Sequence, residues 1–300
     1  MPKPFHIAGV GEALFDIIAG QPHFGGAPAN VACHVSALGA QASLVSKLGE
    51  DELGKQAQSI LTEKGVATTA LQVTTQHDTG TVEVDLDSAG KPSYDIKQNS
   101  AWDHLECNSQ LLELAPSLQA VCFGTLAQRT EQSHGSIVKF LNHTSKECLH
   151  MFDLNLRLDF YNFGIIEASL RLANAVKMND EELPVLREMF SLSGNEQEQI
   201  QELMKRFELE HCAYTCGAEG AYLFRGQEIS FKQPPRLESI VSTVGAGDSF
   251  TAAVMLGFLM GLALDNINES AQKIAAYVCT QNSATPALPT SLKESFHALV

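Results

Sequence analysis

The sequence predicts an α/β fold built on a mainly parallel central sheet. Three observations carry that prediction. Short apolar runs alternate with helix-length stretches over most of the 300 residues. The runs are close to continuously hydrophobic, as strands covered on both faces should be. One region alone breaks the rhythm: in residues 79–98, polar and apolar residues alternate around a turn-rich link.

In chain order, strands are predicted at residues 6–13, 42–48, 120–124, 148–153, 175–178 and 212–215. Helices are predicted at 30–38, 53–64, 130–143, 164–173, 196–207 and 265–282, with a further apolar helical run at 251–264. Parallel neighbours need long crossovers, and the helices supply them. Ligands of such sheets lie beyond the carboxyl ends of the strands. Residues 79–87 and 93–98, flanking Ser88-Ala-Gly-Lys-Pro, form a β-hairpin inserted in this frame. It is either an edge hairpin or a lid that keeps water from a reaction. No repeat, low-complexity tract or linker divides the chain, so residues 1–300 read as a single domain. Gly9-Val-Gly11 lacks the third glycine and the helix start of a dinucleotide fingerprint.

Composition narrows the function classes. A hydrophobic content of 44% supports a substantial core, and 18% charged residues excludes a disordered chain. The formal net charge of −15 argues against nucleic acid or an anionic membrane as partner, since both are polyanions. It does not exclude ATP, which needs only a local amide-rich or positive pocket and a metal ion. The first six residues show no signal-peptide pattern. The longest apolar run, 252–264, is too short to span a bilayer. Seven cysteines scattered through apolar segments suit a reduced, cytoplasmic protein. His211, Cys212 and Cys216 lack a further ligand pair for zinc.

The most informative segment is Val241-Ser-Thr-Val-Gly-Ala-Gly-Asp-Ser-Phe-Thr251. Two glycines set a sharp turn before a helix, whose first amides and dipole favour an anion. Asp248, in the first helical turn, would repel that anion and so has another task. An amide cup beside a carboxylate suits phosphoryl transfer to a hydroxyl: amides hold the moving group, and the acid accepts the proton. Read alone, Gly-Ala-Gly-Asp is an ordinary glycine turn with a helix-start charge. Upstream, Gly25-Gly26-Ala-Pro-Ala-Asn30 opens a helix. Its glycines admit a close backbone approach, and the Asn30 amide both donates and accepts.

The two segments together resemble the paired signatures of the PfkB, or ribokinase-like, carbohydrate kinases, in order and spacing over essentially the whole chain. The resemblance implies a three-layer α/β/α fold with a small β-hairpin lid, its strands near 14–24 and 79–98. Lys177-Met-Asn179-Asp-Glu-Glu182 resembles the family's Asn-x-x-Glu element, which implies Mg2+ handled through water by Asn179 and Glu182. Thr215-Cys-Gly217-Ala-Glu-Gly220 resembles the turn on which the nucleotide lies. Their ordinary readings are a solvated helix start and a tight turn. Gly11-Glu12-Ala-Leu-Phe-Asp16 and Asp153-Leu-Asn155-Leu-Arg157 look like the fructokinase branch, as does Ala101-Trp102-Asp103.

On this resemblance Asp248 is the general base, Gly245, Ala246 and Gly247 form the anion hole, and Arg157 balances charge. Glu12, Asp16, Gly25, Gly26, Asn30 and Asn155 face the sugar. Trp102 is named as a packing surface for it, although a lone tryptophan is more commonly core filler. Thr215, Gly217, Gly220, Thr243 and Asn282 take the ATP. The implied reaction is ATP-dependent phosphorylation of a sugar, with fructose the single best substrate. Asp-x-Asn-x-Arg also occurs in 2-keto-3-deoxygluconate kinases, and a silent sugar- or nucleotide-binding regulator is the alternative of another class. Two departures stand out. Ser242 replaces the family's usual aspartate, which puts in question a K+ site near Ser242, Val244 and Ser283. Ser283 replaces glycine, and serine tolerates a positive φ poorly, so the adenine-side loop is expected to differ. A homodimer through the lid is also implied, using Val82, Val84, Leu86, Tyr94 and Ile96 as an apolar face.

Overall fold

The structure, a computed structural model, describes residues 4–86 and 92–299. Residues 87–91 lie outside them, with most of the expected turn at 88–92 and the last residue of the strand expected at 79–87, as do the first three residues and residue 300.

From the N-terminus, β1 (His6–Val10) enters the core. β2 (Leu14–Ile18) and β3 (Gln21–Gly25) then form a hairpin leading into helix α1 (Ala27–Ala37). α1 starts three residues earlier than periodicity suggested. Pro28 sits in its first turn, where a missing N–H costs nothing. β4 (Gln41–Gly49), α2 (Glu52–Glu63), β5 (Val66–Ala67) and β6 (Leu71–Thr74) follow, and then the hairpin β7 (Gly80–Leu86) and β8 (Pro92–Ile96). Next come α3 (Ser109–Leu114), β9 (Ala120–Phe123), α4 (Glu131–Leu141), β10 (Leu149–Asp153), α5 (Phe163–Leu172), β11 (Ala175–Asn179), α6 (Glu182–Phe190), α7 (Glu196–Phe207) and β12 (His211–Thr215). β13 (Ala221–Arg225) and β14 (Glu228–Lys232) precede helices α8 (Ala246–Leu259), α9 (Leu264–Cys279) and α10 (Thr290–His297). The single apolar run expected at 251–264 is therefore split. Gly261, with φ +66, turns the chain between α8 and α9.

Ten strands form one sheet in the order β14-β13-β12-β11-β10-β9-β1-β4-β5, with β6 also on β4. Its pairs are parallel from β12 to β5, and the antiparallel β13 and β14 extend one edge. The strand pleat divides the core in two. Val10, Phe123, Phe152, Val176 and Tyr214 pack with α3 to α7 on one side. Ile7, Leu44, Met151, Ala175 and Ala213 pack with α1, α2 and α8 to α10 on the other. The layers are thus helix, sheet, helix.

A second sheet, β3-β2-β7-β8, contains the predicted hairpin. The expected apolar face is only partly open: Val82 and Ile96 are buried against the core, whereas Tyr94 is 52% exposed. In register, Val82 pairs with Ile96 and Val84 with Tyr94. Val84 is partly buried against the same core, so of the expected apolar face Tyr94 alone stands exposed among the described residues, and the Leu86 side chain lies outside them. A dimer contact through Val82 or Ile96 is excluded by this packing.

Candidate active site

Five of the described helices close their own N-termini with side chains, from Asp51, Asn108, Thr130, Asn162 and Asn195. α8 does not. Its N-cap is Gly245, which brings no side-chain acceptor. Gly245 has φ +82, and a Cβ there would lie 2.2 Å from the Ala284 carbonyl oxygen. Only glycine fits both conditions. Ala246 N–H donates to Thr243 O at 3.3 Å, so one of the three expected anion-hole amides is already engaged. The Gly247 and Asp248 amides belong to the first turn and have no partner within the helix.

Asp248 is partly exposed, and its Oδ2 accepts a hydrogen bond from Asn30 Nδ2 at 2.8 Å. Burial, then the nearby Asp153 charge, pushes its carboxyl up to about 6, against the Asn30 hydrogen bond, Lys177 and Arg157. That value lets it exist as carboxylate near neutrality and still accept a proton. Asn30 is 3% exposed, and its Oδ1 has no partner among the described residues. α1 places it there by starting directly after Gly26, whose φ is +103 and whose absent Cβ would lie 2.5 Å from Glu12 O.

Glu12 is buried and its carboxyl is pushed up to about 7. Burial dominates and Asp248 adds to it, against its own amide, Arg157 and the Ala27 amide. Its Oε2 is unpartnered among the described residues. Asp16, partly exposed on β2, is raised by burial and lowered by Arg157 and His23. Gly25 packs beside it, a Cβ there lying 3.1 Å from Asp16 Oδ2. Asn155 is held with φ +43 just after β10, and Arg157 is exposed. The Arg157 guanidinium touches only its neighbour's carbonyl, Leu156 O, and makes no ion pair among the described residues. Yet it acts electrostatically on Glu12, Asp16 and Asp248 together. These expected residues therefore converge. Trp102 does not join them. It is 1% exposed, packed in the core under the Arg129 guanidinium at 4.1 Å, and offers no surface to a ligand.

Asn179 and Glu182 share a groove of about 210 Å³ with Arg157 and Tyr161. Asn179 Oδ1 caps the start of α6 by accepting from the Glu181 and Glu182 amides. Glu182 accepts Leu156 N–H on one oxygen and Asn179 N–H on the other. Thr215 ends β12, and its turn closes with Cys216 N–H donating to Gly220 O at 2.8 Å; Gly217 has φ +52. Thr243 and Asn282 are exposed. Ser242 Oγ accepts the Val244 amide, and Ser283 Oγ accepts the Thr285 amide. Ser283 is not among the residues with positive φ, so replacing glycine there imposes no backbone strain.

Sequence reasoning passed over four residues. Lys177 forms a buried ion pair with Asp153. Burial works against the Lys177 charge, but Asp153 foremost, then Glu182 and Asp248, hold its proton above the usual lysine range. His34 and Lys64 donate to Ala284 O at 2.9 Å and Thr285 O at 2.6 Å, bracing the loop against which Gly245 packs. Burial lowers His34 to about 4, which keeps its imidazole neutral. A charge inside an otherwise apolar strand was the available signal for Asp153 and Lys177. For His34 and Lys64 the sequence held none, because both act through distant backbone carbonyls.

Comparison with known proteins finds relatives over most of the chain. Residues 17–291 match the family described as pfkB family carbohydrate kinase. A fructokinase of Escherichia coli is 30% identical over 307 residues, covering 93% of this chain and 95% of that one. A crystal structure of an uncharacterized sugar kinase from Pyrococcus horikoshii in complex with ATP superposes with a TM-score of 0.82 at 26% identity. The match covers 97% of this chain and 99% of that one. A Vibrio cholerae fructokinase with fructose, ADP and calcium has the same fold, with a TM-score of 0.78 at 24% identity over 97% and 98% of the two chains.

Proposed function

The chain belongs to the PfkB family of carbohydrate kinases, and from that premise we propose that it phosphorylates fructose at the expense of ATP. The observation carrying this reading is Asp248. It is a carboxyl raised to about 6, held by Asn30, in the first turn of a helix whose start has no side-chain cap. The sugar lies among Glu12, Asp16, Gly25, Gly26, Asn30 and Asn155, and ATP runs along Thr215, Gly217, Gly220, Thr243 and Asn282. The sugar oxygen bonds to the terminal phosphorus as the bond to the bridging oxygen breaks, and that electron pair leaves on ADP. The hydroxyl proton passes to Asp248. The Gly247 and Asp248 amides take up charge on the moving group, and Arg157 balances it from the solvent side.

Mg2+ fits this site through the phosphates. Glu182 and Asn179 already bond backbone amides, so they would reach the ion through water, and it would neutralise phosphate charge when bound. A monovalent cation near Ser242, Val244 and Ser283 belongs to the same proposal; both hydroxyl oxygens already accept an amide.

A second reading rests on Arg157. Its guanidinium, with no ion pair among the described residues, suits a substrate carboxylate, as in 2-keto-3-deoxygluconate. ADP release from fructose, ribose, 2-keto-3-deoxygluconate, adenosine and fructose 1-phosphate, with and without K+, tests both. Fructose should give the highest kcat/KM. Preference for the sugar acid would establish the second reading. Ligand binding without ADP from any sugar would leave a silent regulator.

A further inference from the structure

Under the first turn of α8 lies a charged pair that the reaction as described does not use. β10 and β11 run parallel with Asp153 and Lys177 in register. Lys177 Nζ is 3.1 Å from Asp153 Oδ1, and the two side chains are 8% and 4% exposed. Asp153 has a second bond, accepting Thr251 Oγ1–H on Oδ2 at 2.9 Å. That bond ties α8 to the sheet without the lysine. The ammonium has three N–H groups and its one ion pair among the described residues is with Asp153. It reaches the amide cup: a Cβ on Gly247 would lie 3.4 Å from Nζ. A buried ammonium is costly to keep unless its donors are used. An anion resting on the Gly247 and Asp248 amides would use them.

We infer that Lys177 is a further catalytic residue, its ammonium donating to a non-bridging oxygen of the phosphoryl group in transfer. This rests on the kinase reading above. Lys177 keeps all its protons: the sugar proton still goes to Asp248, and the electron pair of the broken bond still leaves on ADP. The lysine's share is charge, supplied from the protein side of the cup where solvent is excluded. Such charge counts most when negative charge shifts in the transition state.

The alternative is that the pair only docks α8, and the variants separate the two. Lys177→Met should lower kcat on the order of 10²–10³-fold with sugar KM within about threefold. Thr251→Val disturbs the docking but leaves the Asp153–Lys177 pair in place, and should lower kcat less than about tenfold. If it costs as much as Lys177→Met, or if sugar KM rises in step with the loss of kcat, the inference is overturned. Lys177→Gln, closer in polarity, is read in the same way if the methionine variant does not fold. Failure of both to fold would assign the lysine to structure and also overturn it. Wild-type protein that releases no ADP with any sugar fails the kinase reading itself, and is measured first.

Discussion

Asp248 and Glu12 are two buried-side carboxyls with little water to support their charge, and both are raised, to about 6 and about 7. If Asp248 must be ionised to accept the sugar proton, kcat/KM should fall as pH drops through about 6. A profile flat down to pH 5 would remove Asp248 from that role. The same shift has a consequence for stability. A folded-state value above the unfolded one means that ionisation favours unfolding, so stability present at low pH is lost as pH rises through about 6. Asp248→Asn should therefore melt above wild type at pH 8, with the gap narrowing toward pH 4. A lower melting temperature at pH 8 would contradict this account of its burial. Asp248 itself was legible, since glycine turn and acid are adjacent in sequence. Its bond to Asn30 joins residues 218 apart and was not. Lys177 was hidden for the same reason: its meaning depends on a cross-strand neighbour.

At the level of elements, α1 and α8 make the site. α1 presents Asn30 to Asp248 and, one turn later, His34 to Ala284 O. One helix thus holds both Asp248, the proposed base, and the loop at Ala284. Gly245 joins α8 to that loop. Gly245→Ala would put a methyl against Ala284 O and force a left-handed conformation that costs alanine about 1–2 kcal/mol. Turnover should fall at least about tenfold while sugar affinity by calorimetry stays within about threefold. Equal losses in both would make the loop a general scaffold. Most strands and helices were read within a few residues from apolar runs. The misses have local causes. α6 was read only as an ordinary helix start at 177–182 and not followed past Pro184 in its first turn, though proline is tolerated there. β13 and β14 needed their turns, not periodicity, to be seen.

For the whole molecule, the candidate site lies where the large sheet's carboxyl ends meet the small sheet, and the apolar joint between them carries a buried ion pair. Asp103, just past β8, pairs with Arg129 at 2.7 Å, with side chains 0% and 5% exposed. Arg129 also stacks on Trp102 and on Phe160, in the segment that follows Arg157. Arg129→Leu would strand a buried carboxylate and should cost roughly 3–5 kcal/mol of stability, read by denaturant unfolding. A loss under about 1 kcal/mol would mean that the joint is held otherwise. Trp102 was named for the sugar on the resemblance to fructokinases, beside the commoner reading as core filler, and its burial in this joint bears out the latter.

The most direct test of the central claim is turnover by Asp248→Asn. ADP release with fructose is compared with wild type, and sugar binding is followed by calorimetry. The account predicts a kcat lower on the order of 10²–10⁴-fold with sugar affinity and fold retained. Near wild-type turnover from the folded variant would show that the proton goes elsewhere.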